Sequence, residues 1–180
     1  MMIRWIVAAA MATSAWAAQA GNTPMLPAVG TSAYQLGPGD ELRIHVSGLD
    51  ALNNTYFVDD TGRIAVPMLP PVTVSGKTVR EAEAAIADQI RSRQLVLNPE
   101  VSAQVQAYRP FFIAGEVQRP GQYPYVPGMS LMTAVSIAGG YTFRANTKTA
   151  TITRANVKGR ASQETQIQPG DVIVIRESWF

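Results

Sequence analysis

Five acidic residues are the candidates for paired-carboxylate chemistry on a glycosidic bond: Asp40, Asp59, Asp60, Glu116 and Asp171. Four of them sit in turns or at turn edges, where an aspartate accepts hydrogen bonds from nearby backbone N–H groups. Glu116, within Gly115-Glu116-Val117, is the exception. Asp59 and Asp60 lack the spaced oxygen ligands of a calcium loop and read as turn formers. The chain holds one histidine, His45, and no cysteine, so the usual metal sets are out of reach. A serine nucleophile would have to recruit His45, and no serine is marked by a strained elbow. Ser75-Gly76-Lys77-Thr78 ends like a phosphate loop, but Pro71 stands where that loop needs its first glycine. The expectation is a protein with no catalytic residues, no metal and no cofactor.

The elements around these residues read as an α+β chain with two small β-rich domains. Tyr34 to Asp40 carries Leu36-Gly37-Pro38-Gly39-Asp40, a tight turn with Pro38 fixing φ and Gly39 free to take the left-handed position. Leu42, Ile44 and Val46 then alternate with Arg43, His45 and Ser47, which predicts a half-buried strand with His45 on its wet side. Thr55 to Val58 predicts another strand, Asp59 to Gly62 a hairpin turn, and Ile64 with Val66 its return. Val72 and Val74 form a short edge piece. Thr78 caps a helix and Glu81 completes a capping box. Val79, Ala82, Ile86 and Ile90 lie on one face of that helix, which fades by Arg93-Gln94. Val101, Ala103 and Val105 alternate in a closing strand, ending the domain over 34–107.

Tyr108-Arg109-Pro110 is too short for a loose linker, so two closely packed domains are expected. The second, over 108–180, centres on residues 111 to 140. A strand from Phe111 leads to Gly115, then to a turn at Arg119-Pro120-Gly121, where Gly121 after proline predicts type II geometry. A strand from Gln122 to Val126 follows, with Tyr123 and Tyr125 on one face. Such a pair either stacks on sugar rings or a partner, or fills the core. Ser130 can cap a short helix with Leu131, Ala134, Val135 and Ala138 inward, ended by Gly139-Gly140. Residues 141–149 form a polar loop carrying Arg144 and Lys148. Ala150 to Arg154 is a strand, and 156–166 a polar excursion. Ile167-Gln168-Pro169-Gly170-Asp171 repeats the earlier turn and feeds Val172 to Ile175, whose unbroken apolar run predicts a central or interface strand. The repeat is explained by turn chemistry alone. Trp179-Phe180 is expected to tuck onto the body or face a partner.

Residues 1–20 read as a secretory signal peptide: a basic start at Arg4, an apolar stretch from Trp5 to Ala12, and small-x-small patterns ending at Ala17 and Ala20. An uncleaved anchor is the alternative, disfavoured by the short apolar stretch. Residues 21–33 read as a flexible leader. The chain has 15 basic and 13 acidic side chains, and this near balance argues against a nucleic-acid partner. Without cysteine the fold must stand on packing, with no disulfides.

In combination these stretches resemble the bacterial polysaccharide export proteins of the outer membrane. Tyr34 to Asp40 with Leu42 and Ile44, Val58-Asp59 to Gly62-Arg63-Ile64 with Pro67, and Thr78 with Glu81, Ala82 and Ile86 match the export domain. Gly115-Glu116-Val117, Pro120-Gly121-Gln122-Tyr123, Leu131, Ala138-Gly139-Gly140 and Pro169-Gly170-Asp171 match its sugar-binding-like β-grasp module, the SLBB type. Prolines at 70 and 71 depart from the family, which often has a glycine nearby. Larger relatives add a lipidated cysteine, a second β-grasp copy and a C-terminal amphipathic helix, so the expectation is a short form.

The resemblance implies a periplasmic component of an exopolysaccharide or capsule export channel at the outer membrane. Its implied partners are the exported polysaccharide, further copies of itself in a ring-like homo-oligomer, and an inner-membrane co-polymerase. The main expectation is a ring that passes glycan across the outer membrane. The alternative is a periplasmic glycan-binding or scaffold module that does not conduct. Candidate contact residues are Tyr123, Tyr125, Arg144, Lys148, Trp179 and Phe180. Gly37, Pro38, Gly39, Asp40, Gly62, Gly115, Pro120, Gly121, Gly139, Gly140, Pro169, Gly170 and Asp171 are expected to hold turns.

Overall fold

Alternation along β1 (Glu41–Val46) places Leu42, Ile44 and Val46 inward and leaves His45 exposed, as its sequence requires. The computed structural model describes residues 24–26 and 34–178; the expected signal peptide and Trp179-Phe180 lie outside these residues. β1 is the middle strand of a three-stranded antiparallel sheet, between β2 (Asn54–Phe57) and a strand at Val101–Ala107. The sequence-based hairpin is corrected here. β2 pairs with β1, whereas β3 (Arg63–Ile64) pairs with β4 (Val72–Thr73) in a separate two-stranded sheet. The turn itself forms: Gly62 has φ +76°, and Asp59 accepts hydrogen bonds from Arg63 N, Thr61 N and Thr61 Oγ1. These donors hold the Asp59 carboxyl below its usual range.

Helix α1 (Val79–Ser92) starts at a reciprocal capping box. Thr78 Oγ1 accepts from Glu81 N at 3.3 Å, and Glu81 Oε2 accepts from Thr78 N at 2.7 Å. Such a cap is worth about 1 kcal/mol. The helix lays Ala82, Ile86 and Ile90 onto Leu42, Ile44, Val46 and Tyr56. Full burial of an Ile or Leu contributes about 1.5–3 kcal/mol, so this apolar stripe is what holds the helix to the sheet. β5 (Val101–Ala107) closes the unit.

The second unit is a five-stranded mixed sheet in the order β7-β6-β10-β8-β9, with β6 at Phe111–Gly115, β7 at Gly121–Tyr123, β8 at Ala150–Arg154, β9 at Val157–Ala161 and β10 at Val172–Ile175. The last strand, β10, lies parallel to the first, β6, and all other pairs are antiparallel. A parallel pair needs a crossover, and α2 (Leu131–Ile137) lies on it, packing Leu131, Ala134 and Val135 onto Phe111, Ile113, Ile152, Ile173 and Ile175. Opening hairpin, helix and parallel closing strand together make the β-grasp arrangement.

Two expectations for this unit are corrected. The polar stretch after Arg154 contains β9, which pairs with β8 along its whole length, from Ala150↔Ala161 to Arg154↔Val157. β10 is central, but its burial alternates: Ile173 and Ile175 are buried, while Val172 and Val174 are about 40% exposed. The leader reading is also revised at residues 24–26. Leu26 N donates to Arg160 O at 2.9 Å and Arg160 N to Pro24 O at 2.8 Å, so this short piece runs parallel to the free edge of β9. The side chain of Leu26 packs on the second core.

Candidate functional site

The two Pro-Gly-Asp turns come together at the junction between the sheets, and each is built the same way. In the first, Gly39 has φ +94°, Asp40 N donates to Gly37 O at 3.1 Å, and Gly37 N donates back to Asp40 Oδ2 at 2.8 Å. In the second, Gly170 has φ +82°, Asp171 N donates to Gln168 O at 3.1 Å, and Gln168 N donates back to Asp171 Oδ2 at 2.8 Å. Both aspartates are fully buried, and a buried carboxylate requires a cation and several donors. Each has an arginine. Arg154 grips Asp171 with Nε at 3.0 Å and Nη2 at 2.8 Å. Arg109 Nη1 reaches Asp40 Oδ2 at 3.1 Å, and its backbone N donates to Asp40 Oδ1 at 2.8 Å. The repeat is therefore more than turn chemistry: each copy carries a buried ion pair.

Arg109 also ties the two turns to each other. Its Nε donates to Pro169 O at 3.2 Å, and Gly170 N donates to Pro110 O at 3.0 Å. Space is tight on both sides. A Cβ at Gly37 would stand 2.5 Å from Arg109 Nη1, and one at Gly170 would stand 3.0 Å from Arg109 Nε. Tyr34 completes the node. Its hydroxyl donates to Asp40 Oδ2 at 2.6 Å and accepts from Arg109 Nη1 at 2.9 Å. Burial, then the adjacent Asp40 carboxylate, push the Tyr34 phenol far above its ordinary range, so it stays a neutral donor. Tyr34, Tyr108 and Tyr125 continue the contact as edge-to-face rings, with centroids 5.1 and 5.6 Å apart. Arg109 was absent from the expected site residues. Its partners Asp40 and Pro169 lie 69 and 60 positions away, so nothing local points to it.

Of the expected contact residues within the described part of the chain, Tyr125 reaches the junction and Tyr123, Arg144 and Lys148 do not. Tyr123 stacks on Phe111 with centroids 5.9 Å apart and donates its hydroxyl to Arg119 O at 2.6 Å. Tyr125 packs on Tyr108, so this pair fills the fold rather than standing as an exposed aromatic patch. Arg144 is paired with Glu177 at 2.8 Å. Lys148 stays exposed in the loop before β8. Gly121 does not take a left-handed conformation; it opens β7, paired with Ile113, in open space, so the type II expectation is corrected. The closest approach at a glycine among the described residues is at Gly115, at φ +87°, where a Cβ would stand 2.0 Å from Ile175 O. Gly139 and Gly140 both have φ +89° and end α2. Glu116 accepts a hydrogen bond from Thr142 Oγ1. Among the described residues no group of three His, Cys, Asp or Glu side chains is placed to hold a metal ion.

Two concave surfaces accompany these elements. One is a groove of about 570 Å³ beside α1 and β5, lined by His45, Arg80, Glu83 and Glu100. The other is a cleft of about 400 Å³ at the junction, lined by Tyr34, Gln35, Arg109, Arg154, Ala155 and Gln168. Among the described residues no helix is long and apolar enough to cross a membrane.

Residues 28–106 match the family described as polysaccharide biosynthesis/export protein, and residues 110–166 match the SLBB domain. The chain is 33% identical to the exopolysaccharide production protein ExoF of Rhizobium meliloti (strain 1021), over 59% of this chain and 28% of that protein. It is 28% identical to the polysialic acid transport protein KpsD of Escherichia coli, over 59% of this chain and 19% of that protein, and a second E. coli protein of that name gives the same figures. The chain thus spans less than a third of the length of the curated relatives it matches. An export domain followed directly by an SLBB domain, each a short sheet under one helix, is an architecture that matches the bacterial polysaccharide export proteins.

Proposed function

We propose that this chain is a non-catalytic periplasmic component of polysaccharide export that binds and orients the glycan without itself forming the membrane passage. The observation that carries this reading is the junction. Arg109, Asp40 and the Tyr34-Tyr108-Tyr125 series lock an export domain to an SLBB domain with no slack between them. A fixed angle between two modules suits holding an extended polymer or docking into a larger assembly. A groove on the first module, a cleft at the junction, and buried aspartates committed to arginines fit binding rather than bond cleavage. The relatives are named for exopolysaccharide production and polysialic acid transport, which supports a long bacterial polysaccharide as the ligand. An inner-membrane co-polymerase and further copies of this chain are the proposed protein partners.

Native mass spectrometry over a concentration series, with and without the producing cell's own polysaccharide, tests this reading. The expected result is a monomer or small oligomer that acquires bound glycan. A single discrete high-order ring, formed without partners, would overturn it in favour of a conducting ring. Absence of glycan binding by either species would overturn both.

A further inference from the structure

We infer that the junction cleft is a binding site for a carboxylate-bearing sugar unit, which rests on the glycan-binding reading above and names the ligand class. The cleft presents two guanidinium groups whose positions are already fixed. Arg154 is held side-on by Asp171 through Nε and Nη2, and its Nη2 also donates to Gln166 O at 3.0 Å. That leaves Nη1 without a partner among the described residues. Arg109 commits Nε to Pro169 O and Nη1 to Asp40 and Tyr34, which leaves Nη2. Both arginine side chains keep some exposure, 28% for Arg109 and 20% for Arg154, while both aspartates are at 0%. The carboxylates of Asp40 and Asp171 are thus covered, while the partly exposed arginines line the cleft.

This is a preorganised arrangement for a carboxylate. The guanidinium nitrogen atoms that remain free are held in place without a ligand, so binding costs little side-chain entropy. Each remaining guanidinium nitrogen carries two N–H donors that a carboxylate oxygen can accept. Gln35 and Gln168 line the same cleft and supply amide donors and acceptors suited to ring hydroxyls. The volume of about 400 Å³ lies near the lower end for small-molecule sites, room for a sugar unit rather than a long segment. At the rim stands Ala155, exposed and at φ +49°, the turn residue between β8 and β9. That left-handed position suits Asn and Asp better than Ala. A charge can therefore be added at the mouth without disturbing the fold.

The test uses the full chain in isothermal titration with three probes: an oligoglucuronide, a neutral glucan oligomer of the same length, and inorganic phosphate. The expected result is oligoglucuronide binding at least tenfold tighter than the neutral oligomer, undiminished by equimolar phosphate. Ala155→Asp is expected to weaken it tenfold or more, and Ala155→Asn to leave it unchanged, with both variants melting no lower than the parent. Equal affinity for acidic and neutral oligomers, or equal binding by the Asp and Asn variants, would overturn the assignment. Displacement by equimolar phosphate would mark a general anion site and overturn the sugar assignment. Any of these outcomes leaves polysaccharide binding in native mass spectrometry unaffected, so the two readings fail separately.

Discussion

Arg109→Ala is expected to lower stability by about 3 kcal/mol or more, the range seen when one partner of a buried pair is removed. Asp40 would keep its two backbone donors and Tyr34 but lose its cation. The link to Pro169 O would go at the same time, so the second domain would loosen from the first. Because the Arg109 side chain is 28% exposed, water can enter and limit the loss, which favours the lower end of the range. Arg109→Lys keeps the charge but cannot serve Asp40, Tyr34 and Pro169 from one planar fork, and should fall between parent and alanine. Urea unfolding followed by tyrosine fluorescence gives the free energies, and limited proteolysis at 108–110 reports the loosening. A loss below about 1 kcal/mol, within the range of an ordinary surface ion pair, would show that the junction is not held as described.

Gly115→Ala is expected to be the most damaging single-methyl change in the chain. Its φ of +87° is strained for any L side chain, and the new Cβ would meet Ile175 O at 2.0 Å, where the β6–β10 pairing ends. Strain at such a position costs about 1–3 kcal/mol, and forced overpacking adds a similar amount. The matched control is Gly76→Ala, at φ +77° with nothing within 4 Å of the new atom, which should cost only about 1 kcal/mol. Gly121→Ala, neither left-handed nor crowded, should be nearly silent. Thermal melts of the three variants give the order, and equal midpoints for Gly115→Ala and Gly76→Ala would contradict the close approach to Ile175.

What was legible in the sequence followed from local period. Leu42, Ile44 and Val46 alternate because one side of β1 is buried, and Ala82, Ile86 and Ile90 repeat because one side of α1 is. The capping box at Thr78 and the left-handed glycines at 39, 62, 139 and 170 are equally local. The missed features are long-range. Val157 to Ala161 is polar and contains Gly159, and becomes a strand only because β8 offers a full row of partners. β2 leaves the Asp59 turn toward β1 rather than toward β3, a choice made by the sheet and not by the turn. Arg109 meets Asp40 across 69 positions and Pro169 across 60, so no spacing rule marks it. Gly121 follows a proline, which favours a turn, yet pairing with Ile113 extends it.

The proposed role of this chain is to serve polysaccharide export as a binding and orienting component. Its most direct test is to delete the gene in the producing bacterium and measure surface and periplasmic polysaccharide together. The expected result is loss of surface polysaccharide with retention inside the envelope, restored by the parent chain and not by Arg109→Ala, whose junction is broken. Undiminished surface polysaccharide in the deletion strain would contradict it.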